Sequence, residues 1–144
     1  MIIIHFLIAI IATMSFAVLF QAPKKELIFC GFTGGLSWLI YEVLTTLEYS
    51  PVIASFVATF FLMFFARTFA VIRKIPITVY LLSGIFPLVP GAGIYYTAYY
   101  MFQKESARFL AKGLETFEIA CAIVFGIIFG FSVPQKFFQK LFQR

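Results

Sequence analysis

The sequence predicts an all-α fold, an integral membrane helical bundle of about five transmembrane helices. Its 144 residues are 62% hydrophobic and only 12% charged, and the mean hydropathy is +1.02. A soluble fold of that composition would expose more apolar surface than water tolerates. The apolar residues also fall into five runs, each close to the roughly 20 residues that cross a bilayer. The fourth run is interrupted between Pro87 and Gly93, which predicts a broken helix.

The same composition excludes several classes of function. Five spans leave almost no residues for a soluble catalytic or nucleotide-binding domain, so we expect neither an enzyme nor a cofactor. The net charge is +5, but the basic residues lie mostly between or after apolar runs, where they act as topology signals and not as a nucleic-acid surface. Cys30 and Cys121 lie inside apolar runs and form no CxxC or metal-ligand cluster. The partners that remain are the lipid bilayer and other membrane helices.

Charges and prolines divide residues 1–133 into the spans of one transmembrane domain. The first run has no basic segment before it and is expected to be a retained helix, not a cleaved signal peptide. Pro51 stands at a favourable first-turn position for the third span. The spans are expected at residues 1–20, 27–46, 51–72, 77–102 and, after a polar stretch at 103–112, up to about residue 133. Small residues four apart predict close helix contacts at Gly31 and Gly35, Ala54 and Ala58, and Gly126 and Gly130.

Residues 134–144 are predicted to form a separate basic tail. Basic residues recur every four positions, and apolar side chains take another face: Lys136, Lys140 and Arg144 against Phe137, Phe138, Leu141 and Phe142. This pattern is typical of an amphipathic helix on an anionic cytoplasmic leaflet. Five crossings of the cell membrane would then place the N-terminus outside and the C-terminus in the cytoplasm. A re-entrant fourth run gives the same charge count, so charge alone does not decide between the two topologies.

The break in the fourth run is the strongest functional signal. Residues 84–96 read G-I-F-P-L-V-P-G-A-G-I-Y-Y. The two prolines remove backbone donors, and the amides of the next three residues begin a new half-helix. In lipid such a break survives only beside protein or a water-filled cavity. Because a half-helix N-terminus presents N–H groups and a positive dipole end, we expect a small carboxylate to bind at Pro87, Pro90, Gly91, Ala92 and Gly93.

Two carboxylates within the fifth span are the other candidates for chemistry. Glu115 and Glu118 share one face of that helix. If the helix enters the bilayer near Ala107, both lie near the midplane, where they would carry a coupling proton or bind a substrate ammonium. If it enters near Gly113, Glu115 is interfacial and pairs with Lys112.

Two other ionisable residues within apolar runs are predicted to have no functional role. Arg67 can snorkel toward the basic end of the third helix, which favours a structural role. His5 is a lone histidine, and the sequence offers it no ligand partners.

Four segments carry a further signal. They are P-K-K-E-L-I-F-C-G-F-T-G-G-L-S-W-L-I-Y at 23–41, S-P-V-I-A-S at 50–55, P-L-V-P-G-A-G-I-Y-Y-T at 87–97 and G-L-E-T at 113–116. Together they resemble the threonine/serine exporter family, specifically its short, half-length subunit. The third segment is the most specific, and Tyr96 and Thr97 are expected to line the site because they fall within it. Ser83 and Arg67 stand where the family pattern has a proline and a carboxylate.

The resemblance implies a secondary exporter of small carboxylate-bearing metabolites, either threonine and serine or dicarboxylates such as succinate. It also implies a longer membrane subunit as partner. Because the chain has no nucleotide site, transport would be driven by an ion gradient, and a half-length chain would need that partner or a homo-oligomer. The open alternative is a non-transporting membrane scaffold or regulatory subunit of a larger complex, in which the broken helix merely kinks.

Overall fold

The computed structural model describes residues 2–134, and the regular elements among them are all helical. The α-helices are α1 (Ile2–Leu19), α2 (Leu27–Thr46), α3 (Pro51–Arg73), α4 (Ile77–Ile85), α5 (Gly91–Phe102) and α6 (Ser106–Ser132). Two 3₁₀ turns, Lys24–Glu26 and Phe86–Leu88, precede α2 and follow α4. The predicted all-α fold is therefore confirmed. The predicted amphipathic tail at 134–144 lies outside the described residues except for Pro134.

The helices have the lengths and composition of membrane spans. α1, α3, α6 and the segment Lys24–Thr46 are each long and apolar enough to cross a bilayer. α4 with its 3₁₀ turn and α5 meet that criterion only together, as a pair bent by 50°. Counting the bent pair as one span gives five, the number that the sequence predicts, and the break lies where the prolines indicate.

Local signals fix the beginning and the end of α3. The Ser50 hydroxyl accepts a hydrogen bond from Ile53 N at 3.3 Å, and Pro51 occupies the first turn, where its missing N–H is not needed. Lys74 ends the helix in the left-handed conformation (φ 55°), and its N–H donates to the Ala70 carbonyl. A left-handed residue at this position turns the chain out of the helix, so that α4 returns along α3.

α6 begins earlier than the sequence indicates. The stretch 103–112 is predicted to precede the fifth helix because it is polar, yet α6 starts at Ser106. Polar side chains do not oppose a helix that extends past the apolar layer, and here they pair along it. Arg108 lies 3.0 Å from Glu105, and Lys112 lies 2.8 Å from Glu115. Residues 106–112 of the polar stretch are therefore the first part of α6, and only 103–105 form the connection.

Glycines on α2 bring it into close contact with α1. A Cβ added to Gly31 would lie 2.7 Å from Met14 Cγ, and one added to Gly35 would lie 2.5 Å from Ile10 Cγ1. Both distances are too short for a real side chain, so the two helices approach as closely as they do only because these positions have none. The prediction that small residues four apart mediate helix contact is confirmed for Gly31 and Gly35.

Glycines on α6 make a similar contact with α3. A Cβ on Gly126 would lie 2.8 Å from the Phe56 carbonyl oxygen, and one on Gly130 would lie 2.4 Å from Met63 Cβ. The residue numbers of the contacting positions rise together along both helices. α3 and α6 are therefore parallel.

The parallel packing of α3 and α6 helps to choose between a fourth run that crosses the membrane and one that re-enters, which the charge count could not do. α6 returns antiparallel along α5, since Gly93 lies against Thr116 and Thr97 against Gly113. Between α4 and α5 the direction changes by only 50°. A re-entrant hairpin would reverse the chain at the break, and α6 would then run antiparallel to α3. The observed directions are those of a single bent span, which would make the fifth of the candidate crossings.

Arg67 joins α3 to the end of α6. Its Nη1 atom donates to the carbonyl oxygens of Gly130 at 2.9 Å, Phe131 at 3.2 Å and Val133 at 2.5 Å. The last carbonyls of a helix have no donor within the helix, and the negative end of its dipole attracts a cation. Arg67 thus caps the neighbouring helix, contrary to the expectation that it snorkels along its own.

Candidate functional site

The break exposes the start of α5. α4 ends at Ile85, the 3₁₀ turn follows, and α5 begins at Gly91. Gly91 N donates to the Val89 carbonyl at 2.7 Å, and no side chain caps the new helix. The amides of Ala92 and Gly93 belong to the first turn, where an α-helix offers no acceptor of its own. The positive end of the α5 dipole is therefore presented at the break.

A cleft of about 640 Å³ lies between α5 and α6, directly after the break. Its lining side chains include Pro90, Ile94, Thr97, Met101, Phe109, Thr116 and Phe117. The walls are mostly apolar, and the two threonines supply hydroxyl groups. Thr97 Oγ1 donates to the Gly93 carbonyl and Thr116 Oγ1 to the Lys112 carbonyl, each at 2.7 Å. Because both protons are used in the helix backbone, each hydroxyl oxygen retains lone pairs with which it could act as an acceptor.

The structure distributes the predicted break residues around this cleft. Pro90 and Thr97 line it. Gly91 and Ala92 are exposed at the start of α5, and Gly93 is half-buried.

Two further predicted residues lie elsewhere. Pro87 lines a different, smaller cavity of about 270 Å³ between α1 and α2. Tyr96 is exposed and stacks on Tyr100, with ring centroids 6.4 Å apart. It is not among the residues that line the α5–α6 cleft.

The two glycines at the start of α5 occupy different environments. A Cβ added to Gly91 would meet no atom within 4 Å. A Cβ added to Gly93 would lie 2.4 Å from Thr116 Oγ1 and 3.1 Å from its Cγ2. Gly93 is therefore needed for the packing of α5 on α6, whereas Gly91 leaves open space at the start of the helix.

The two predicted carboxylates of α6 do not face the break. Glu115 accepts a hydrogen bond from Lys112 Nζ at 2.8 Å, the pair that one of the two sequence alternatives expected. Glu118 is exposed, and no residue among 2–134 forms a hydrogen bond or ion pair with it. At about 1.5 Å per residue the two lie roughly 14 and 18 Å from the first residue of α6. Neither lines the cleft.

Sequence reasoning missed a buried ionic cluster at the other end of the bundle. Glu26, whose side chain is 5% exposed, accepts hydrogen bonds from Arg73 Nη2 at 2.8 Å and from the Tyr80 hydroxyl at 2.6 Å. Arg73 Nε also lies 3.2 Å from both carboxylate oxygens. The sequence places Glu26 and Arg73 in separate polar turns. Only the prediction that both turns lie on one side of the membrane would have suggested the pair.

His5 has a partner that the sequence did not reveal. Its Nδ1 atom lies 2.5 Å from Glu42 Oε1 on α2, so the expectation that His5 stands alone is wrong. α1 and α2 form an antiparallel hairpin, which brings the start of one helix to the end of the other. The same register places Thr13 against Gly34. The predicted contact at Gly31 and Gly35 could have set the register of the α1–α2 hairpin. Extending that register to the ends of the helices brings His5 to Glu42.

The whole described bundle, from His5 to the end of α6, falls within one known family. A family model described as Threonine/Serine exporter, ThrE, matches residues 5–133. No curated protein and no solved structure matches the chain. The matched range includes the break, the cleft and the spans that make this a multi-pass membrane protein. Because the match covers well over half of the sequence, the chain belongs to the threonine/serine exporter family of membrane exporters.

Proposed function

We propose that the chain is one subunit of a secondary exporter of small carboxylate-bearing metabolites, threonine and serine or dicarboxylates such as succinate. It works in the cell membrane with its C-terminus in the cytoplasm, and an ion gradient drives it. A longer membrane subunit of the same family completes the transporter. The observation that carries the proposal is the uncapped N-terminus of α5 at the edge of a cleft.

The start of α5 supports binding of a carboxylate. Its first amides lack acceptors in the helix, the dipole end is positive, and Gly91 leaves the approach open. Together these features favour an anionic group at the break, with the backbone as donor.

The cleft beside the α5 N-terminus supports a small substrate with a second polar group. A volume of about 640 Å³ is in the range of small-molecule sites. The oxygens of Thr97 and Thr116 are available to accept from an ammonium or hydroxyl group, and the apolar walls contact the carbon chain. An amino acid with a small side chain has this combination of groups.

The outer face of α6 supports a partner subunit. Glu118 is exposed there among large apolar side chains, including Leu114 and Phe125. A carboxylate in lipid costs several kcal/mol, about 2.5 to 3.5 on insertion scales, so this face is better covered by protein that offers a cation or a water-filled space. From that position Glu118 carries a coupling proton or binds the substrate ammonium, and Glu115 is the second candidate for that role.

Replacing Gly91 by Val tests the proposal most directly. The added side chain meets no atom of the bundle, so the variant should insert and assemble normally while its branched Cβ blocks the carboxylate. We expect export from vesicles containing both subunits to fall tenfold or more, equivalent to about 1.4 kcal/mol.

Ile85→Val on α4 serves as the control and should export at nearly the wild-type rate. Copurification of the two subunits checks assembly. If assembled Gly91→Val exports like the wild type, the break is only a kink, and the scaffold alternative is favoured.

A further inference from the structure

A second pair of ionisable groups lies beside the break, on the side away from the cleft. His5 and Glu42 are in contact, and their side chains are 44% and 15% exposed. The second carboxylate oxygen of Glu42, Oε2, is buried and has no hydrogen-bond partner among the described residues. In the Glu26 cluster, by contrast, both carboxylate oxygens accept hydrogen bonds. Among residues 2–134, His5 is therefore the only side chain that satisfies the Glu42 carboxylate, and an unsatisfied buried oxygen is unfavourable in a pair that serves only to hold two helices together.

The pair is physically connected to the break. His5 lines the cavity of about 270 Å³ together with Trp38 of α2 and Pro87 of the 3₁₀ turn. Farther along α1, the Phe16 ring stacks on Phe86 in the same turn, with centroids 4.1 Å apart. A movement of α1 relative to α2 would therefore change the position of the turn that precedes α5.

We propose that His5 and Glu42 form a proton-binding site whose occupancy controls the position of the broken helix. With Nδ1–H donated to Glu42, the proton binds to the lone pair of Nε2 and leaves from the same atom. The protonated pair is neutral overall, and the deprotonated pair carries one negative charge. Loss of the proton leaves a largely buried carboxylate without a cation, which favours separation of α1 and α2 at this end.

The other titratable groups on the packed elements lie to either side of the pair. On α2, Tyr41 precedes Glu42 and interacts electrostatically with Glu115 of α6. Glu48 and Tyr49 follow in the connection to α3. The groups toward the opposite end of the bundle are Lys24, Lys25, Glu26, Cys30, Arg67, Arg73, Lys74 and Tyr80.

The sequence provides a specific probe for this site, since it contains one histidine and one tryptophan and both line the same cavity. A protonated imidazole quenches indole fluorescence. We therefore expect Trp38 emission from the purified protein in lipid nanodiscs to change reversibly with pH. His5→Gln should lose that change, Glu42→Gln, which keeps the imidazole without its carboxylate partner, should alter its pH dependence, and Glu48→Gln, in the exposed connection, should keep it.

Nuclear magnetic resonance of the single histidine gives an independent readout of the pair. The ¹⁵N signals of His5 should differ between the wild type and Glu42→Gln, and not between the wild type and Glu48→Gln. Identical signals in the wild type and Glu42→Gln at every pH, or fluorescence that is insensitive to pH in the wild type, would overturn the proposal.

The effect on transport rests on the proposed function, so it is measured separately. With equal pH on both sides of the membrane, substrate exchange by the wild type should vary with pH; His5→Gln should lose that variation, and Glu42→Gln should alter it. A wild type that moves no substrate overturns the proposed function, while the fluorescence still decides whether the pair binds a proton. Exchange that varies with pH equally in all variants overturns the control of the broken helix.

Discussion

Glu26 is a carboxylate whose surroundings satisfy it completely. Arg73 and Tyr80 together donate to both of its oxygens, and the Arg73 guanidinium lies 4.6 Å from the centre of the Phe29 ring. The cluster connects the turn before α2 to the end of α3 and to α4. A buried charge of this kind is retained only while every partner is present, because an unpaired one is far more costly than a missing pair.

Removing the partners of Glu26 should destabilise the fold in a defined order. Arg73→Gln leaves the carboxylate without a cation and should lower the free energy of unfolding by more than Tyr80→Phe does. Tyr80→Phe removes one hydrogen bond to a charged group and should cost about 1.5 kcal/mol. Denaturant unfolding in micelles measures both, with Lys24→Gln, an exposed neighbour, as the control. A larger loss from Tyr80→Phe than from Arg73→Gln would contradict this assignment.

Glu118 differs from Glu26 because no described residue forms a hydrogen bond or ion pair with it. If it carries a proton during transport, Glu118→Gln should keep the shape of the side chain and lose coupling. Substrate exchange should then persist, while net flux driven by a pH gradient falls. Flux assays in vesicles containing both subunits separate the two processes. Normal pH-driven flux in this variant would mean that Glu118 only contacts the partner.

At the scale of elements, α5 is held by the contact of Gly93 with Thr116. Gly93 lies two residues after Gly91, in the same first turn whose amides are proposed to bind the carboxylate, so packing and binding involve neighbouring residues of the same half-helix. Substitutions at Gly91 and Gly93 should therefore have different consequences, although both glycines belong to the same sequence motif.

A double-mutant cycle tests that difference. Gly93→Ala forces its Cβ against the Thr116 hydroxyl and should destabilise the bundle by about 1 to 3 kcal/mol, as overpacked sites do. Thr116→Ala in the same chain removes the two closest atoms and should recover most of that loss. Gly91→Ala should leave stability unchanged. Thermal unfolding of the wild type, Gly93→Ala, Thr116→Ala and the double variant measures the coupling energy between the two positions. Purely additive effects would argue against the contact.

The elements themselves could largely be predicted from the sequence. Apolar runs, the Ser50–Pro51 start and the paired prolines depend on local chemistry, so the spans and the break were correctly placed. The start of α6 was missed because hydropathy marks where lipid begins and not where a helix does. Of the site, Pro90 and Thr97 line the cleft as the motif indicated, but its α6 wall depends on long-range packing.

The side-chain pairs were harder to predict than the elements. His5 with Glu42, and Arg73 with Glu26, join residues far apart in sequence. No local pattern contains them, and only a helix register and a consistent topology bring them together.

At the scale of the whole molecule, the helices are buried to different extents. α3 is the central helix, with α2, α4 and α6 packed against it. α5 contacts chiefly α6 and has no fully buried residue. The open side of α5 and the outer face of α6 are therefore the surfaces that a second subunit would cover.

The chain alone should not transport. Five spans supply half of what transporters with inverted repeats usually assemble, and the cleft has one side without a wall. We expect export from vesicles only when the longer subunit is present or when the chain forms a homo-oligomer. Cross-linking and mass measurement establish the state in each preparation. Export by a chain shown to be monomeric would contradict this expectation.

The Arg67 cap has a consequence for how the protein is made. Gly130, one of its acceptors, follows Arg67 by 63 residues, which a ribosome adds in about 3 to 13 s. During that interval α3 lacks the α6 carbonyls, and its guanidinium is unfavourable in lipid. Arrival of α6 removes that penalty, so the last span also stabilises the earlier insertion of α3. A nascent chain that stalls before α6 would thus present an incompletely solvated cation to the membrane quality-control machinery, whereas the finished chain would not.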